Sequence, residues 1–458
     1  MPLPESARAR KSADLWERDI GDLWGPTMPR NGMTAVMGVL LLTSWGCRRE
    51  PEARTVLKFA HSVTSGSTKP IYNAAVAEFE AAHPGVKVKQ VVQEGHLYER
   101  QGLQSMLQGG DPPDVFFEWG GHRVLSKVRD GYVADLTDAL DQHGWRETFH
   151  KNAWHATVVD GRNYVIPNAI MVSVMIWYNP EILAKHGLEV PKSYEDFLEA
   201  MRKLKAAGET PMFVGNRDIW PLGNFAAHLI HRVVGPKRYD EVLRLQPGTS
   251  FVNADFIRAL GYVETWAKEG FFNKGFMAIN DPDAQMSFFN GKGAFYAMGN
   301  WLISAAQTDA PPNFKYEGFN LPPVAGGKGD QTSLMALNTG YMVSKATKHF
   351  NLAVAFLRHM TSESVQRRMV EAGAITAVKG LVDPDQIDPH LRCALEAWKN
   401  AKQILAPPDT GYRIDVANRL YDAIALVADG KADPKTALTK AEAQVAPWRK
   451  AAASKGKK

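Results

Sequence analysis

Gly299-Asn300-Trp301 sets a flat ring and an amide beside a residue with no side chain. The Asn300 amide can both donate and accept hydrogen bonds, and an indole covers an apolar CH face well. A sugar presents such a face ringed by hydroxyls, so the triplet suits sugar recognition. The same residues suit a packing role equally, with Trp301 anchoring the end of a buried strand. The segment before them, Gly293 to Met298, is small and apolar, as a strand entering an interior is.

Catalytic chemistry is poorly provided for. There is no Gly-x-Ser-x-Gly, no His-Glu-x-x-His and no cysteine–histidine metal spacing. Asp281-Pro-Asp283 looks like half a calcium loop, but the glycine and glutamate needed beyond it are missing, so it reads as a turn. No metal and no cofactor are expected. A glycoside hydrolase is the rival from another class. It needs two carboxyl groups roughly 5–10 Å apart, and Glu118, Asp160 and Asp218 leave that reading open.

The chain has 458 residues, 45% hydrophobic and 22% charged, with a formal net charge of +5. This length and composition describe a soluble globular protein of two or three domains with a real core. There is no dense basic stripe, which argues against nucleic acid as a partner. Met33 to Gly46 is a 14-residue run without charge, ending at Cys47. It is too short for a membrane span, which needs about 20 apolar residues, and it fits the apolar core of a secretory signal. Gly46-Cys47 resembles the bacterial lipoprotein signal, in which the cysteine carries the lipid. Ser44 departs from the aliphatic residue usual there. The mixed charges before Met28 are unlike a signal's start, so translation is expected to begin at Met28. The second cysteine, Cys393, sits in a helical context and reads as an inert thiol.

The elements that position these residues come in order along the chain. Residues 48–54 form a tether, and Val56 to Ala60 reads as a strand. The hydroxyl-rich loop His61 to Lys69 comes next, and Pro70 then opens a helix that His83-Pro84-Gly85 closes. Val86 to Val92 is a second strand. Val115 to Phe117 is a third, wholly apolar one, with Glu118-Trp119 at its carboxyl end. Strand, helix, strand, helix, strand defines an α/β sheet, whose ligands bind beyond the carboxyl ends of the strands. Ile170 to Trp177 suits a strand passing between domains. Ser193-x-x-Asp196 marks a capped helix start. Asn216 to Trp220 is a loop bearing another tryptophan, and Leu334 to Ser344 is extended but broken at Asn338-Thr339-Gly340-Tyr341.

Several strings in order resemble the family 1 extracellular solute-binding proteins, the sugar receptors of bacterial ABC importers. They are Phe79 to Val88, Met106 to Val115, Asp160 to Pro167, Tyr178 to Glu181, Phe289 to Trp301, Ala353 to Leu357 and Ser362 to Gln366. The resemblance covers about Thr55 to Trp448. It implies a two-lobed, periplasmic-binding-protein-like α/β fold of type II, with crossing hinge strands near Asn168, Leu334 and Thr361. One lobe is expected from 55–169 and 335–361. The other is expected from 170–334 and 362–447, with 448–458 as a basic tail. The family's aromatic carries over to Trp301, its polar loop to Glu118 and Trp119, and its later glycine–aromatic pair to Gly340 and Tyr341. The sugar's needs for rings, donors and acceptors add Trp220, Asn168, Asn300 and Asn338. The expectation is an exported, lipid-anchored, monomeric receptor that binds a sugar between its lobes and delivers it to permease subunits without catalysis. The same fold holding a polyamine, a peptide or another non-sugar solute is the alternative, and a cationic ligand requires several carboxylates in the cleft.

Overall fold

The structure is a computed structural model and describes residues 54–154, 157–382 and 387–455. Cys47 and its leader lie outside the described residues. Among the described residues, twelve strands run in chain order. They are β1 (Thr55–His61), β2 (Val86–Val92), β3 (Val115–Trp119), β4 (Val158–Val159), β5 (Arg162–Asn163), β6 (Ile166–Val172), β7 (Met175–Tyr178), β8 (Phe295–Met298), β9 (Glu317–Phe319), β10 (Leu334–Val343), β11 (Ile375–Thr376) and β12 (Ile404–Leu405).

A seven-stranded sheet carries the first lobe in the order β11-β6-β10-β3-β1-β2, with β12 joining β10. Strands β1, β2 and β3 are parallel, as the strand–helix alternation demands, while β10 runs antiparallel to both β3 and β6. β3 is buried on both faces from Val115 through Glu118. At the sheet's edge, β2 turns Lys87 and Lys89 to solvent. Charged side chains there discourage another strand from pairing.

A three-stranded antiparallel sheet, β8-β7-β9, begins the second lobe. Its helices are Tyr194–Ala206, Trp220–Val234, Ala254–Lys268 and Ile414–Ala428, which share a core built on Phe197, Leu229, Leu260 and Leu420. The Ser193 start forms as its sequence indicates. Ser193 Oγ accepts from the Asp196 amide at 3.1 Å, and Asp196 accepts from the Ser193 amide at 3.0 Å.

The apolar run from Ile170 is two strands rather than one. It leaves the large sheet at Val172 and enters the small one at Met175. Leu334 to Val343 is a single strand, and its break is only a register shift between Thr339 and Gly340. The third crossing differs from the expected one near Thr361. Helix Glu363–Glu371 is tied to helix Thr68–Ala82 by Arg368, which donates to Glu78 at 2.8 Å, and Ile375 pairs with Ile170. The chain therefore stays beside the large sheet through Thr376. Asp281-Pro-Asp283 is not a turn but the first turn of helix Asp281–Phe289. Asn280 caps it, accepting from the Asp283 amide at 2.7 Å. Residues 448–455 of the expected tail are likewise helical, as the end of helix Pro434–Lys455, and 456–458 lie outside the described residues.

Gly340 sits where two backbones nearly touch. A Cβ there would lie 2.4 Å from both the Ile166 carbonyl oxygen and Val165 Cγ1. Gly340→Ala should therefore destabilise the fold by about 2 kcal/mol through overpacking, read as a lower midpoint in urea unfolding at unchanged slope.

Candidate functional site

The lobes meet along a seam, the candidate groove, whose sides come from loops at strand ends. From the first lobe come the loop after β1, the short helix Gly95–Leu97 after β2, and the carboxyl end of β3. From the second come the Asn216–Trp220 loop, Asp281 and the Trp301 helix. Contacts close across it at two places. The Ser67 amide donates to the Ser304 carbonyl at 3.1 Å, and His96 Nε2 lies 3.4 Å from Asp218 Oδ1.

Trp301 begins helix Trp301–Asp309 and remains partly exposed. Its indole occupies the space that Gly299 vacates, since a Cβ at Gly299 would sit 1.9 Å from ring carbon Cζ3. Trp220 opens helix Trp220–Val234, and its ring lies 5.9 Å from that of Trp301, inclined by 53°. The preceding residue, Ile219, holds φ at +59°. A β-branched residue is strained in that left-handed conformation, and such strain is often kept where a loop must be held for function. Here the Asn216 backbone, which donates to the Phe276 carbonyl at 2.8 Å, and its side chain, which accepts from the Leu222 amide at 3.3 Å, hold the loop in place. The result is a pair of inclined, half-open indoles.

Trp119 is also partly exposed. It packs edge-on against Phe117 and Tyr98, with the Arg123 guanidinium 5.2 Å from its ring centre. Among the described residues no ring contact joins it to the Trp220–Trp301 pair.

The polar residues expected beside these rings are placed differently. Glu118 is fully buried. Arg123 Nε donates to it at 2.8 Å, its Oε1 accepts from the Trp119 amide at 3.0 Å, and Lys127 contacts its other oxygen. Burial pushes its pKa up, but Arg123 and Lys127 outweigh that and hold the carboxyl below its ordinary range. Asn168 is buried and accepts from Gln366 at 3.1 Å. Asn300 accepts from the Val172 amide at 3.1 Å and so ties the Trp301 helix to β6. Tyr341 is a core residue whose hydroxyl is 2.7 Å from that of Tyr72. Gly340 serves the close approach of β10 to β6. Asn338 is partly exposed and donates to the Asn152 and Ala153 carbonyls at 2.9 and 3.1 Å.

Two carboxylates missed in the sequence converge with Asp218, which stands two residues before Trp220. Glu94, from the first lobe, caps its own short helix, accepting from the His96 amide at 3.1 Å. Asp281 accepts from the Tyr296 hydroxyl at 2.5 Å. Burial pushes Asp281 up to about 6, aided by Glu94 and Asp218 and opposed by the Tyr296 bond. The Asn280 capping pattern was the available signal for Asp281. Nothing in the sequence links Glu94 to the second lobe. Two surface hollows of about 230 and 330 Å³ open elsewhere, around Phe276 and Ala428. Neither gathers the inclined rings and convergent carboxylates of the groove.

The family is shown by comparison with known proteins. Residues 65–367 match the model of the bacterial extracellular solute-binding proteins, and the chain belongs to that family. It is therefore a binding protein and not an enzyme, and its place of work is outside the cytoplasm. Among relatives, it is 24% identical to the multiple sugar-binding protein of Streptococcus mutans, over 67% of this chain and 71% of that one. It is 23% identical to the galactooligosaccharide-binding protein of Bacillus subtilis, over 80% and 84% respectively. Its two-lobed fold is that of a chitin oligosaccharide binding protein, with TM-score 0.78, 20% identity, and coverage of 85% of this chain and 98% of that one. SBP RafE in complex with raffinose shares it too, with TM-score 0.72, 21% identity, and coverage of 86% and 100%.

Because Glu118 answers two buried cations, Glu118→Gln should cost about 3–4 kcal/mol of stability, measured by denaturant unfolding at neutral pH. Its folded pKa is depressed, so this stabilisation is present above the carboxyl's unfolded value and disappears as pH falls through the folded one. The difference between wild type and variant should accordingly shrink on acidification.

Proposed function

We propose that the chain is the extracytoplasmic receptor of an ABC importer, closing its lobes on a sugar or oligosaccharide and presenting it to separate permease subunits. The observation that carries this reading is the Trp220–Trp301 pair. Two half-open indoles lie 5.9 Å apart and inclined, and in this reading they face the groove between the lobes. Inclined rings match successive CH faces of a sugar, while the neighbouring carboxylates accept from its hydroxyls. The sugar-binding relatives support the same assignment.

In this reading Trp119, Trp220 and Trp301 touch the ligand, and Asn338 borders it. Glu118, Asn168, Asn300, Gly340 and Tyr341 act from behind, fixing the strand ends and the helix that present the rings. Closure is a hinge motion about the crossings that come after β6 and before β10, driven by a ligand that contacts both lobes. The receptor works as a monomer. Lipid on Cys47 holds it at the membrane by burial of acyl CH₂ groups.

A second reading keeps the fold and exchanges the sugar for a cationic solute such as a polyamine. The convergence of Glu94, Asp218 and Asp281 favours it, although His96 and Arg217 offset part of that charge.

Calorimetry across mono- and oligosaccharides, with spermidine and a short peptide beside them, tests both readings. Saturable heat from a saccharide is expected. Silence from every saccharide alongside a signal from spermidine would transfer the assignment. With the saccharide that binds, Trp301→Ala should weaken affinity by about 1–3 kcal/mol. Tyr341→Phe should leave affinity unchanged while costing about 1 kcal/mol of stability through its lost hydroxyl bond.

A further inference from the structure

The groove is bridged by a titratable pair that its ring chemistry does not require. His96 stands on the short helix Gly95–Leu97 after β2, and Asp218 on the loop before Trp220, so each lobe supplies one partner. Their side chains are largely covered, at 15% exposure each, and solvent screens such a pair less than a surface one.

We infer that protonation of His96 latches the lobes together, so that the closed form is favoured in acid and released as pH rises. The inference takes the groove to be the binding cleft and concerns its regulation.

The sign is set by the groups that surround the pair. Asp218 faces His96 across the groove, and an opposite charge at 3.4 Å favours the imidazolium. Glu94 on His96's own element adds negative charge, and Asp281 lies within electrostatic reach of both Glu94 and Asp218. Arg217, whose Nε is 3.8 Å from Asp218, opposes the attraction. Glu99, further along the first-lobe segment, is committed to Arg123 at 3.2 Å. On opening, His96 leaves Asp218 and its affinity for the proton falls. The closed form thus binds the proton more tightly, and by linkage the proton favours the closed form. Asp281 works in the same direction. Closure brings Glu94 toward Asp218 and Asp281, and a proton taken up by Asp281 relieves their repulsion. Both events fall in the range of about pH 5–8 where histidine changes charge.

Small-angle scattering of the purified full chain, recorded without any ligand at about pH 5.5 and about pH 8, tests the latch. It does so whether or not a sugar binds. The wild type should show the smaller radius of gyration at the acid pH. His96→Gln and Asp218→Asn, made separately and each checked for a native melting transition, should each shrink that difference, the remainder coming from Asp281. A radius independent of pH in the wild type would overturn the latch. So would a pH dependence that persists unchanged in both variants.

Discussion

One extended segment is hydrogen-bonded along both edges and cannot shift without moving both neighbours. β10 pairs with β3 on one side and β6 on the other, and its first residues also pair with β12. β6 continues into the small sheet, and β3 ends in Glu118 and Trp119. The strand that completes the first lobe is therefore the strand against which the passage to the second is aligned. Gly340 permits this by letting the Ile166 carbonyl approach where any larger residue would collide. The groove's walls inherit their spacing from that register.

Buried charge organises the carboxyl end of β3. Glu118 is enclosed with Arg123 and Lys127, and Arg123 continues to Glu99. Asp409, buried at the second lobe's side of the junction, is a further charge that acts on Arg123. Here too the backbones are close, since a Cβ on Gly121 would lie 2.7 Å from the Thr410 carbonyl oxygen. A buried charge without its partner is costly, so these groups specify one arrangement of the strand end. They orient Trp119, whose ring the Arg123 guanidinium covers. The three indoles stay partly exposed, while most of the expected polar residues are committed to internal partners.

Much of this was legible in the sequence. The strand–helix alternation, the Ser193 capping box and the space beside Trp301 all depend on residues close together in the chain, where local rules apply. The role of Glu118 was not. A carboxylate at the end of an apolar strand can point to ligand or to an internal partner, and only the fold of helix His122–Arg129 over it decides. Its signal was present in Arg123 and Lys127, four apart on that helix. Asp281 was misread because a proline between two aspartates suggests a turn, whereas Asn280 makes the same residues a helix start. The meeting of His96 with Asp218 depends on how two lobes pack, which no local pattern encodes.

The lysines that β2 turns outward have a consequence for how such molecules live side by side. The large sheet ends at this strand, and the Val88 amide on its rim donates to the Glu80 carboxylate rather than to a neighbouring strand. Lys89 adds an exposed charge there and Lys87 pairs with Glu80, so an identical rim meets charged side chains rather than a bare strand. Copies crowded at high local density can then collide edge to edge without zipping into a shared sheet, so dense packing need not become aggregation.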